Sequence, residues 1–238
     1  MSPRAQGSRL IVALDYPDAD SALRFVSRVH PELCRLKVGK ELFTAAGPQL
    51  VQRLVASGFD VFLDLKFHDI PSTVAKAVAA AGNLGVWMTN VHAAGGSAMM
   101  TAAAESRRTA GQHLLLVAVS ILTSMNQADL DEIGFDRPLE EQALHLATLA
   151  QRSGLDGVVC SAWEASAMHR RLGDDFLCVT PGIRVASAMA SGDDQTRVMT
   201  PLEAIRAGSN YLVVGRPVTQ SADPVAVLLD MARQIAEY

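Results

Sequence analysis

Cysteine is scarce in this chain: Cys34, Cys160 and Cys178 are odd in number and lie far apart. None belongs to the close pair that a zinc site or a dithiol redox centre requires, so reduced thiols are expected. An excess of positive charge is also missing. Lys and Arg number 21 against 25 Asp and Glu, a formal net charge of -4, which leaves no broad basic field for nucleic acid or an anionic membrane surface. Any anionic ligand must then be held by a few local cations. Nor does a long apolar run open the chain, because the stretch from Leu10 to Leu14 ends at Asp15. That is too short for the core of a secretion signal, and a cytoplasmic location is expected. Residues 77–104 lack Asp, Glu, Lys and Arg, and a membrane helix needs only about 20 apolar residues. Yet Gly82-Asn83, Asn90, His92 and Gly95-Gly96 interrupt the stretch, which reads instead as a helix end, a buried strand and a helix start. Linkers, low-complexity segments and charged tails are absent too.

What is present is apolar material for one large core. Hydrophobic residues make up 49% of the 238, and α/β barrels of about 250 residues form single domains. Short apolar runs alternate with longer segments of helical period, the pattern of repeated strand-helix units around a parallel sheet. Strands are expected at 10–15, 35–39, 60–65, 86–91, 114–119, 157–160, 176–180 and 211–215. Helices are expected at 22–29, 48–57, 71–84, 98–109, 139–153, 164–172, 201–207 and 224–236. Gly58, Gly85, Gly154, Gly173 and Gly208 each follow a helical run, where a left-handed cap is favoured. Eight such units predict a (β/α)8 TIM barrel as a single domain over residues 9–238, with residues 1–8 a flexible N-terminal segment. The longest irregular stretch, from Val185 to Met199, follows the seventh strand and is expected to be a lid.

Strands of a closed parallel barrel are buried on both faces, so charges within them must be paired or perform chemistry. Asp15 ends the first strand, Lys37 lies within the second, and Asp64 and Lys66 end the third, two apart and so on one face. Neighbouring strands lie about 4.8 Å apart, so these groups are expected to converge as an array of alternating sign. A structural ion-pair network is the other reading. Asp69, before Ile70-Pro71, could be a helix cap or part of the same site. Barrels commonly bind phosphate with the loops after strands seven and eight, where Gly182-Ile183-Arg184 and Gly215-Arg216-Pro217 stand. Glycine admits backbone N–H groups to an anion, and arginine offers a fork that fits phosphate oxygens. His68 and His92 lack a partner at zinc-motif spacing, so no metal site is expected. Trp87 and Trp163 read as packing residues, and the remaining histidines as solvated.

The segment Asp64-Leu65-Lys66-Phe67-His68-Asp69-Ile70-Pro71 resembles the signature of the orotidine 5′-phosphate decarboxylase family. Leu36-Lys37-Val38-Gly39-Lys40-Glu41, Leu122-Thr123-Ser124-Met125, Thr180-Pro181-Gly182-Ile183-Arg184 and Val214-Gly215-Arg216-Pro217-Val218-Thr219 resemble its other blocks, in order, from Leu10 onward. The resemblance implies decarboxylation of orotidine 5′-monophosphate to uridine 5′-monophosphate with neither metal nor organic cofactor. It implies catalytic roles for Lys66, Asp64, Asp69 and Lys37. Asp15 and Lys37 would face the ribose, Thr123 the pyrimidine, and Arg216 and Gln195 the phosphate, with Arg184 and Gly215 lining the ligand. Asp69, Ile70 and Thr73 would reach the partner's site in a homodimer. Val185 and Ser72 depart from the residues common at those places in the family. Competing readings are a magnesium-dependent sugar-phosphate decarboxylase of the same superfamily, a lyase forming a Schiff base on Lys66, and a nucleotide-phosphate binding protein without chemistry.

Overall fold

The computed structural model describes residues 7–107, 114–184 and 198–236. Eight strands, β1 (Leu10–Ala13), β2 (Arg35–Gly39), β3 (Val61–Phe67), β4 (Met88–His92), β5 (Leu115–Val119), β6 (Gly157–Val159), β7 (Leu177–Thr180) and β8 (Tyr211–Val214), follow one another in sequence. Each pairs in parallel with the next, and β8 returns to β1, so the sheet closes as a barrel in strand order. The expected (β/α)8 fold is therefore present. Around the barrel run α1 (Ala19–Val26), α2 (Lys40–Ala56), α3 (Pro71–Asn83), α4 (Gly96–Arg107), α5 (Gln127–Glu132), α6 (Leu139–Arg152), α7 (Ala162–Leu172), α8 (Pro201–Arg206), α9 (Arg216–Thr219) and α10 (Pro224–Ala236). The charge-free stretch divides into the end of α3, β4 and the start of α4. Among the described residues, no helix is long and apolar enough to cross a membrane. Ser8, at the end of the expected N-terminal segment, accepts from Leu10 N and donates to Leu33 O at 2.8 Å.

Side chains alternate across each strand and split the interior into two cores. Outward residues such as Leu10, Val12, Leu36, Leu63 and Leu116 pack under the helices. Inward residues including Ile11, Phe62, Met88, Leu115, Val117 and Leu177 fill the cylinder itself. At its N-terminal end the Arg35 guanidinium lies 4.3 Å from the Trp87 ring centroid and bonds Asp60 at 3.0 Å, while Trp87 meets Tyr211 edge-on at 5.0 Å. This cation–π stack closes the floor.

All five helix-terminating glycines adopt positive φ, from 79° at Gly85 to 108° at Gly208. Other expectations need correction. α2 begins directly after β2, at Lys40, and continues past a break at Gly47 (φ 70°), so only its second half, from Pro48, coincides with the expected helix. α5 was not expected, although Asn126 and Asp129 form a reciprocal capping box at its start. α9 was missed as well. Trp163 is 64% exposed on α7 and does not pack in the core. His169 is not solvated: Nε2 lies 2.6 Å from Gly208 O and Nδ1 3.3 Å from Gly173 O. Only the imidazolium can donate to both carbonyls, and contact with the Cys178 sulfur, together with these oxygens, raises its pKa.

Gly157, an inward position of β6, shows why the cylinder tolerates no extra atom there. A Cβ at this site would lie 2.2 Å from the Leu177 carbonyl oxygen on the adjoining strand. Gly157→Ala should therefore destabilise the protein by about 1–3 kcal/mol through overpacking. A lower urea midpoint with an unchanged slope checks this.

Candidate active site

The C-terminal mouth of the barrel gathers the charged residues that the strands present. Ala13, Lys37 and Phe62 share one register row, and the next inward position on β3 is Asp64. Lys37 Nζ lies 3.3 Å from Asp64 Oδ2 and 3.6 Å from Asp15 Oδ1, and Lys66 Nζ lies 2.7 Å from Asp64 Oδ1. The four groups form a chain of alternating sign, as expected, with Asp64 shared between two ammoniums. Burial works to raise the Asp64 pKa. The charges of Lys37 and Lys66, with hydrogen bonds from Lys66 and Asn90, outweigh it and hold the carboxyl below its ordinary value. Asp15 differs from its neighbours, because β1 ends at Ala13 and leaves its side chain 69% exposed on the rim. It is not one of the buried charges the sequence suggested.

Lys66 does not reach the array by simple strand alternation. β3 pairs with β4 through Leu63 opposite Thr89 and Phe67 opposite Val91, so Asp64, Leu65 and Lys66 all face the single residue Asn90. Within this bulge Lys66 has φ 52°, and among the described residues it alone combines positive φ with a side chain. Such a conformation costs of order 1 kcal/mol or more and persists only where its surroundings enforce it. Asn90 supplies part of that enforcement: Oδ1 accepts from Lys66 N at 2.8 Å, and Nδ2 donates to Asp64 Oδ1 at 2.7 Å. Sequence reading took Asn90 for an interruption in an apolar stretch. A polar residue at an inward strand position was the visible signal.

A cavity of about 390 Å³ opens beside this array, within the size range of small-molecule sites. Asp15, Lys37, Asp64 and Lys66 form one part of its wall, Thr123 and Ser124 another, and Gly182, Arg184, Gly215 and Arg216 a third. Carboxylate-ammonium chemistry and two arginines thus share one chamber. Gly182 has φ 81°, and Gly215 is the N-cap of α9, whose first residue is Arg216. Gln195 lies outside the described residues, as does most of the expected lid. Asp69, Ile70 and Thr73 are not brought to this wall. Asp69 is exposed and its Oδ1 accepts from Ile70 N at 2.6 Å, while Ile70 is itself the N-cap of α3 and 64% exposed. The capping reading of Asp69 therefore fails. His68 and His92 stack with ring centroids 5.5 Å apart, and among the described residues no group of three His, Cys, Asp or Glu is arranged to hold a metal ion.

A parallel barrel with ion pairs toward the carboxyl ends of β2 and β3, and arginines beyond β7 and β8, has the layout of barrel enzymes, whose active sites lie at this end. Comparison with known proteins narrows this. The model of the Orotidine 5'-phosphate decarboxylase / HUMPS family matches residues 8–231. A protein of Tolumonas auensis named orotidine 5'-phosphate decarboxylase is 59% identical over 221 residues, covering 92% of this chain and 95% of the relative. One of the same name from Chromobacterium violaceum is 56% identical, covering 97% and 93%. The crystal structure of orotidine 5'-phosphate decarboxylase from Lactobacillus acidophilus superposes with a TM-score of 0.85 at 38% identity, covering 95% of this chain and 98% of that one. The chain belongs to the orotidine 5'-phosphate decarboxylase / HUMPS family.

The Asp64 pairing has a pH signature. Because the folded carboxyl has a lowered pKa, its contribution to stability is complete above the ordinary value of about 4 and is lost as pH falls through the lowered one. Asp64→Asn should cost about 3 kcal/mol at neutral pH, by leaving the part-buried Lys66 ammonium without its carboxylate and Lys37 with Asp15 alone, and should flatten the acid limb of stability. Urea unfolding of both proteins across that limb reads the difference.

Proposed function

We propose that this chain is a carboxy-lyase that converts orotidine 5′-monophosphate to uridine 5′-monophosphate and carbon dioxide, the last step of de novo uridine monophosphate synthesis. One observation carries the reading: the Asp15–Lys37–Asp64–Lys66 chain and the two arginines line the same cavity. The names and coverage of the relatives support it. In this reading Arg184, Gly215, Arg216 and Gln195 hold the phosphate, Asp15 and Lys37 face the ribose, and Thr123 meets the pyrimidine. The nucleotide's reacting ring carbon then faces Lys66.

Breaking the bond to the carboxylate leaves an electron pair on a ring carbon with no adjoining sink, so stabilisation falls to fixed charges around that carbon. The Lys66 ammonium opposes the developing charge, then passes a proton from Nζ to the same carbon, completing the product. Asp64, next to the departing carboxylate, repels it in the ground state and pairs with the Lys66 ammonium until the proton is transferred. No step calls on a metal or organic cofactor, which separates this reading from the magnesium-dependent sugar-phosphate decarboxylase. Phosphate contacts distant from the reacting carbon orient the ring as the transition state forms. The exposure of Asp69, Ile70 and Thr73 supports a homodimer in which each subunit's segment completes the other's site. A cytoplasmic location accords with a biosynthetic reaction on a soluble nucleotide.

Lys66→Ala should lose at least about a thousandfold in turnover of orotidine monophosphate, followed by ultraviolet absorbance, while still binding uridine monophosphate in calorimetry. Near-normal turnover in that variant, or loss of wild-type activity with a chelator, would count against the reading. Subunit sharing has its own check. Lys66→Ala and Asp69→Asn homodimers should each be inactive, and unfolding and refolding them together should restore activity, since one site of the mixed dimer is intact. No recovery on mixing would place Asp69 outside the partner's site.

A further inference from the structure

The β3 bulge leaves a gap in the barrel's hydrogen-bond ladder, and one side chain fills it. A backbone N–H displaced from its ladder position must find another acceptor when water is excluded. For Lys66 that acceptor is Asn90 Oδ1, at 2.8 Å, from the β4 residue opposite the bulge. The other end of the same carboxamide donates to Asp64 Oδ1 at 2.7 Å, the oxygen that also receives the Lys66 ammonium at 2.7 Å. The orientation of this amide is set by its partners: a backbone N–H can only donate, and an ionised carboxylate can only accept. Asn90 has 0% exposure, so solvent cannot substitute for it. It is not part of the cavity wall. Whatever it contributes to the reaction, it contributes through Lys66 and Asp64.

We infer that Asn90 is a positioning residue for the decarboxylation: its carboxamide holds Lys66 in the left-handed backbone conformation and aims Asp64 at the ammonium. The inference rests on the assignment of Lys66 as proton donor. Two consequences follow from the geometry. Without the amide, both the Lys66 N–H and one Asp64 bond lose their partner, and Lys66 is released to relax toward an ordinary strand conformation. With a carboxyl in its place, the acceptor for Lys66 survives. A second acid then faces Asp64, in the field of Lys66, Lys37 and His92. Two carboxyls so close share a proton, which restores the missing donor for as long as it stays bound.

The test is steady-state kinetics of the full-length wild type, Asn90→Ala, Asn90→Asp and Thr89→Val on orotidine monophosphate across the pH range in which all four remain folded. Misplacing a reacting group by about 1 Å costs on the order of a hundredfold, so Asn90→Ala should lose about that factor in kcat while KM moves less than about threefold. Asn90→Asp should turn over best at low pH and decline as pH rises and the shared proton leaves, a limb absent from the wild type. Thr89→Val is the control. It removes another buried β4 hydrogen bond, from Thr89 Oγ1 to Leu63 O at 2.9 Å, and should lower the unfolding midpoint without changing kcat.

Asn90 variants with wild-type kcat and no new pH limb would overturn the inference. So would a Thr89→Val enzyme whose kcat falls as far as that of Asn90→Ala, which marks a merely structural effect. Should Asn90→Ala not fold, the pH profile of Asn90→Asp decides alone. A wild type that leaves orotidine monophosphate untouched would instead sink the functional reading on which the inference stands.

Discussion

The site depends on one carboxylate serving two ammoniums. Asp64 lies between Lys37 and Lys66 with its side chain 11% exposed, a location where a lone carboxylate would take up a proton and a lone ammonium would shed one. Each charge is tenable because the others are present. Replacing such a network with packed hydrocarbon often raises stability, so a fold that keeps these charges in its mouth has accepted a structural cost. The barrel makes the arrangement possible by delivering the groups on neighbouring parallel strands, whose carboxyl ends all point the same way.

The rigidity of that delivery comes from below. Inward residues from Ile11 to Tyr211 occupy the cylinder in close contact, so β2 and β3 cannot shift relative to one another without opening voids. Gly157 is the same constraint seen in reverse, a place where neighbouring strands approach so closely that only hydrogen fits. Above this packed column the β3 bulge breaks the regular strand ladder. Among the described residues, it is there that a side chain is combined with positive φ, at Lys66, the residue proposed to supply the proton.

Much of this was legible before any coordinates. Strands buried on both faces read as short apolar runs, and the eight runs coincide with the eight strands to within two residues at either end. The glycines after the helices marked true left-handed stops. The charges of Lys37, Asp64 and Lys66 stood out because little else in those runs is polar. What could not be read depended on pairing between distant segments. The bulge exists only in the register of β3 against β4, so neither the φ of Lys66 nor the bond from Asn90 follows from local spacing. His169 takes its character from Gly208, on a different strand-helix unit. Asp15 was assigned to a strand that stops two residues earlier. α5 and α9 are too short for periodicity to reveal, although the capping box before α5 was there to be found. Asp69, Ile70 and Thr73 are a different case, since a single chain gives them no site to join.

Inward side chains fill the cylinder, and the stack of Arg35 on Trp87 and Tyr211 caps its opposite end, so the cavity at the mouth has no second exit through the barrel. Entry and exit therefore share one opening, and in the proposed reaction the carbon dioxide would have to escape past the nucleotide or wait for it to depart. In that reading the order of release follows from the packed column beneath the cavity.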